Sequence, residues 1–113
     1  MKKIEAYIRP ERIEEVKNIL DTLLLNGLSI TQVMGCGNQK GWKEYVRGTE
    51  IDYNFLPKIK IETVIPDDKV EAVIDGIIEK VYTGEYGDGK IFVYDVVDAI
   101  RIRTKDRGSD AIK

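Results

Sequence analysis

The chain has no histidine, one cysteine and three prolines among its 113 residues. Without histidine, the commonest general base and the commonest nitrogen ligand for metals are both missing. The single thiol, Cys36, cannot close a disulfide or build a thiolate cluster within one chain, and it fits a reducing compartment. There is no excess of one charge either. Eighteen basic and 20 acidic side chains leave a net charge of −2, which argues against a nucleic-acid module. Long apolar runs are lacking, and the opening MKKIEAYIRP has no signal-peptide core. The expected location is therefore the cytoplasm, without membrane insertion. What remains is an ordinary soluble balance, 42% hydrophobic and 34% charged, sufficient for one domain over residues 1–113 with its own core.

Two kinds of periodicity organise that domain. Residues 2–9 alternate, with Ile4, Ala6 and Ile8 on one side and Lys3, Glu5, Tyr7 and Arg9 on the other, as in a half-buried strand. Pro10 suits a helix start. Ile13, Val16, Leu20, Leu23 and Leu24 then recur at helical spacing up to Gly27, where a C-terminal cap is expected. A second strand covers about 28–36 and a third 58–65. Asp68 and Glu71 have capping-box spacing ahead of a second helical stripe, Val70, Val73, Ile74, Ile77 and Val81. A glycine-rich turn at 83–90 leads to a fourth strand over 91–97 and a short extended tail, AIRIRT.

The order β-α-β, long loop, β-α-β predicts an α+β, ferredoxin-like βαββαβ sandwich. Two helices would cover one face of a four-stranded antiparallel sheet. The other face would carry Tyr7, Val64, Phe92, Tyr94 and Val96, too much apolar area to leave wet, so a second copy of the chain is expected to cover it.

Three features carry chemistry. GCGNQKGW places Gly35, Gly37 and Gly41 at the end of the second strand, where bare amides could face an anion; a hairpin tip explains them equally well. The segment runs on to about residue 56 without periodicity, with Trp42, Tyr45, Tyr53 and Phe55 beside Lys43, Arg47 and Glu50. Exposed aromatics among charges suit contact with a partner protein. The GDGK at 87–90 can form an anion-receiving nest, although alone it reads first as a turn. Arg101 and Arg103 would lie on one side of an extended tail and could grip a phosphate together, although an isolated RIR reads first as a solvated tail. Taken together, two glycine-rich nests, Lys58, Lys90 and an arginine pair near strand ends suggest a polyphosphate site.

QKGWKEYVRGTE, FLPKIKIE, VIPDDKVE and TGEYGDGKIFVYDVVDAIRIRT resemble the PII signal-transduction proteins that report nitrogen and carbon status. The likeness runs from Met1 to about Arg103. It implies a homotrimer with ATP or ADP in the clefts between subunits, and 2-oxoglutarate bound beside the nucleotide through Mg2+. Gly87, Asp88, Gly89 and Lys90 would hold phosphates and ribose, and Arg101 and Arg103 would come from the neighbouring subunit. Ser29, Glu62 and Val64 would surround adenine and ribose, with Gly35, Gly37, Asn38 and Gln39 completing the nucleotide site. Gln39 would join the magnesium shell. Lys58 would pair with the oxoacid, whose far carboxylate would meet the backbone at Gly37, Lys40 and Gly41. The resemblance further implies a mobile T-loop over 37–56, a glycine-rich B-loop over 82–90 and a C-terminal segment over 98–113. Arg47, with Trp42, Tyr45, Glu50 and Phe55, would meet an ammonium transporter or a nitrogen-assimilation enzyme.

Some positions depart from the family pattern. Asn38 replaces a common arginine, removing one phosphate contact and leaving open a PII-like sensor of another nucleotide or metabolite. Ile51 stands where many members carry the tyrosine that is covalently modified, Thr49 where some carry a phosphorylated serine, and Val46 where tyrosine is common. An enzyme on the same scaffold, such as a small phosphatase, would need a pre-aimed nucleophile or water-activating group, and neither a histidine nor an activating partner for Cys36 is evident. RNA recognition shares the element order, but the aromatic signature and the charge do not fit. The expected activity is therefore a ligand-gated regulator, not an enzyme.

Overall fold

Alternation along β1 (Lys2–Ile8) buries Ile4, Ala6 and Ile8 and turns Lys3, Glu5 and Tyr7 to the opposite face. The computed structural model describes residues 1–36, 42–46, 49–53 and 55–113, with side chains outside 36–54. After β1 come α1 (Ile13–Thr22), β2 (Ser29–Cys36), β3 (Trp42–Val46), β4 (Thr49–Tyr53), β5 (Phe55–Ile65), α2 (Val70–Val81) and β6 (Lys90–Asp95). Strands β2, β5, β1 and β6 lie side by side in that order, and every neighbour is antiparallel. This is the expected ferredoxin-like βαββαβ arrangement. Val16 and Leu20 of α1 and Val73, Ile77 and Val81 of α2 pack on the Ile4, Ala6, Ile8, Ile59, Ile61 and Ile65 face.

Four local expectations are corrected. The first concerns 37–56, which is not a stretch without periodicity. Strands β3 and β4 pair antiparallel from Trp42↔Tyr53 to Val46↔Thr49, forming a two-stranded sheet of their own, and β5 already begins at Phe55. Aromatic and β-branched residues (Trp42, Tyr45 and Val46; Thr49, Ile51 and Tyr53) on either side of a two-residue gap favour the pairing.

The second is the end of α1, which stops at Thr22 rather than near Gly27. Leu24 takes the left-handed conformation (φ 58°), its amide donates to the Asp21 carbonyl, and Leu25 donates to Leu20. This is a Schellman-type cap without glycine. It lets Leu25 pack against the core and leaves Leu24 exposed.

The third is the capping box. No side chain caps the start of α2, because a 3-10 turn at Asp67–Lys69 leads into the helix instead.

The fourth is the tail, which is not extended. Residues 102–104 form a turn, the Lys105 amide donates to the Arg101 carbonyl at 2.7 Å, and an Ile100↔Arg107 bridge folds the chain back. Arg101 and Arg103 therefore do not share one side of a strand. The fourth sheet strand, β6, likewise ends at Asp95 rather than 97.

The sheet face away from the helices carries the expected mixture. Tyr7 and Phe92 meet edge to face with centroids 6.1 Å apart, and Lys3 Nζ lies 5.3 Å from the centre of the Tyr94 ring. Phe92 and Tyr94 remain nearly half exposed, and Val97 and Ile102 just beyond the strand almost fully so. Among the described residues, no helix is long and apolar enough to cross a membrane.

Candidate functional site

The antiparallel register decides which candidate residues can meet. Tyr7 is opposite Lys90 on one side and Lys60 on the other, and Val33 is opposite Lys58. Gly87–Lys90, Lys58, Arg9 and Gly35 therefore gather where β1 ends and β6 begins. Ser29 is opposite Glu62, and Val64 is opposite Lys3, both toward the other end of the sheet. There Ser29, Glu62, Val64 and Arg101 line one cavity of about 370 Å³ with the folded-back C-terminal segment.

The glycine loop is built tightly against β1. Gly87 and Gly89 have φ of 102° and 97°, which side chains with a Cβ adopt only with strain. A Cβ on Gly89 would lie 1.7 Å from the Tyr7 carbonyl oxygen. Asp88, between them, does not project freely. Its carboxylate accepts from Arg9 Nη1 at 2.7 Å, from the Thr83 amide at 2.8 Å and hydroxyl, and from the Gly84 amide at 2.9 Å. Burial alone would raise its proton affinity, but the Thr83, Arg9 and Gly84 hydrogen bonds outweigh that and hold the carboxyl far below its ordinary value. A depressed carboxyl stabilises the fold above its unfolded pKa and loses that contribution only as pH falls through the lower folded value. The Thr83 and Gly84 amide resonances are thus expected to stay constant from pH 7 to about 4, near the unfolded aspartate pKa, and to move only below it. Movement between pH 6 and 5 would contradict this arrangement.

Lys58 is 9% exposed, and its Nζ donates to the Gly87 carbonyl at 2.5 Å. Burial, then the nearby Arg9 cation, lower its proton affinity. Its stem explains Gly35, where a Cβ would come within 2.9 Å of Lys58 Cγ. That glycine makes room for a neighbouring side chain. Gly37, Asn38, Gln39, Lys40, Gly41 and Arg47 lie outside the described residues, and Trp42, Tyr45 and Glu50 do so with their side chains.

At the other end, Glu62 sits between Lys3 (3.0 Å) and Lys60 (3.2 Å), which keep it ionised below the usual carboxylate range. Arg101 is engaged within its own chain, donating to Asp106 at 3.2 Å and to the Asp110 and Lys113 carbonyls at 3.1 and 2.7 Å. Arg103 is exposed. Phe55, at the start of β5, is 59% exposed and open to a partner.

A family model described as nitrogen regulatory protein P-II matches residues 1–106. The chain belongs to this family. A P-II protein of Rhodospirillum rubrum is 53% identical over 112 residues, covering 99% of this chain and 100% of the relative. Those of Haemophilus influenzae and Escherichia coli (P-II 1) are 51% and 48% identical over the same lengths. This P-II chain is accordingly a nitrogen-regulatory signal transducer that works through partner proteins, and not an enzyme. Sequence reasoning left out Arg9, which the structure places at the centre of the loop contacts. In the sequence Arg9 only continues the alternation of β1, and nothing nearby names its partner.

Proposed function

We propose that this P-II chain acts as a cytoplasmic homotrimer that senses ATP or ADP together with 2-oxoglutarate. It would report their levels through the 37–56 T-loop to an ammonium transporter or a nitrogen-assimilation enzyme. One observation carries the reading. Two groups that suit the same phosphates stand toward opposite ends of the sheet in one chain. Lys90 to Asp95 alone spans roughly 17 Å at ordinary strand rise, and Arg101 lies beyond. Two adjoining protomers would bring the 82–90 B-loop of one chain to the 98–113 segment of the next. The half-exposed Phe92 and Tyr94 give such an assembly an apolar face to cover.

The groups present suit a nucleotide. Gly87 and Gly89 hold positive φ values of the kind that anion-receiving turns use, Lys90 adds an exposed ammonium, and Ser29, Glu62 and Val64 border a cavity of suitable size for a base and ribose. Lys58, with the backbone at Gly37, Lys40 and Gly41, would hold the oxoacid. Gln39 would supply an oxygen to Mg2+, a hard ion suited to such a ligand.

Calorimetric titration with 2-oxoglutarate tests this directly. Heat is expected only in the presence of MgATP, because the oxoacid would chelate the magnesium that the nucleotide brings. Equal binding without nucleotide would contradict it. Asn38 gives a second reading some weight: heat from another nucleotide but none from ATP or ADP would mark a sensor of that ligand instead.

A further inference from the structure

Arg9 stands between the Lys58 pocket and the glycine loop, one residue past β1. Its Nη1 donates to Asp88 at 2.7 Å and its Nη2 to the Tyr86 carbonyl at 3.1 Å. Both side chains of the pair are less than one quarter exposed, so the contact is better shielded than an open surface ion pair. Asp88 in turn receives the Thr83 and Gly84 amides, where the chain leaves α2. Through this one carboxylate, Arg9 ties together both limbs of the loop. Lys58 adds a third tie at the Gly87 carbonyl. Gly87 and Gly89 flank Asp88 and have no side chain of their own to fix them, so the aim of their amides depends on where Asp88 is held.

We propose that Arg9 is the positioning residue of the phosphate-binding loop, latching Asp88 and so fixing the loop on either side of it. The ligands named here rest on the nucleotide reading above; the latch itself does not. The pocket, about 450 Å³, is bordered by Arg9, Lys58, Pro57 and Tyr86. Lys58 has three N–H donors and Gly87 uses one, so a carboxylate can reach the ammonium without releasing the loop.

The test combines amide hydrogen exchange of the ligand-free protein with MgATP titration of Arg9→Gln, Asp88→Asn, the double variant and Arg9→Lys. Arg9→Gln is expected to speed exchange at Thr83 and Gly84, and to weaken MgATP, each by at least about tenfold, the scale of one charged hydrogen bond. Exchange in β1 and β5 should not change. Asp88→Asn should reproduce both effects, and the double variant should be no worse than the more damaging single change, because the two residues act as one unit. Arg9→Lys, which keeps the cation and one donor, should fall between Arg9→Gln and the unaltered chain, and it serves if Arg9→Gln does not fold. Unchanged Thr83 and Gly84 exchange, or additive losses in the double variant, would overturn the latch. Failure of the unaltered protein to bind MgATP would instead count against the nucleotide reading, while the exchange data would still decide the latch.

Discussion

Gly89→Ala is expected to destabilise the protein by roughly 3–5 kcal/mol, at the upper end for a single substitution, and to abolish nucleotide binding. The new Cβ would sit 1.7 Å from the Tyr7 carbonyl oxygen, so either the loop or β1 must move. Backbone atoms cannot swing aside as a long side chain can. Gly27→Ala provides the control. Gly27 has a similar φ of 88° but nothing within 4 Å of the added methyl, so only conformational strain of about 1–2 kcal/mol applies. Chemical denaturation of the two variants separates clash from strain. Equal losses would show that the loop does not press on β1 as described.

Arg101→Ala is expected to weaken ATP by about 1.5–3 kcal/mol, or roughly 10- to 150-fold, the range for hydrogen bonds to charged groups. Arg101 already holds Asp106 and two carbonyls of the C-terminal segment. Part of any loss could therefore come from loosening that segment rather than from a missing phosphate contact. Asp106→Ala separates the two causes, since it frees the guanidinium without removing it. If Asp106→Ala weakened ATP as much as Arg101→Ala, the arginine would be a clasp and not a phosphate ligand. An isotherm unchanged in Arg101→Ala would remove it from the site.

The strands and helices that form the core were legible because burial on one face imposes a period. Ile4, Ala6 and Ile8, and Val73, Ile77 and Val81, declare themselves at spacings of two and of about four. Features set by long-range pairing were less visible. Gly27 looks like the end of α1 in the sequence, but the packing of Leu25 draws the cap back to Leu24 despite its unfavourable conformation. The RIRT tail looks extended until Arg107 returns to Asp98 and Ile100. The pairing of β3 with β4 is hard to read from the sequence because Lys43 and Glu44 break any alternation in WKEYV. Within the site, GDGK points to a turn with glycines at positive φ, and Gly87 and Gly89 both adopt it. The partner of its carboxylate, Arg9, lies 79 positions away in the chain and left no local signal.

The central claim is that one phosphate site takes its glycine loop from one protomer and its arginine from the next, and mixed assemblies test it most directly. Arg101→Ala chains keep the loop and lack the arginine, whereas Lys90→Ala chains keep the arginine and impair the loop. Co-refolded in equal amounts into the proposed trimer, they should regain full ATP affinity in roughly a quarter of the sites, the random share that pairs an intact loop with an intact arginine across an interface. If the site lay within single chains, mixing would restore none, and a titration indistinguishable from the sum of the two separate variants would contradict the account.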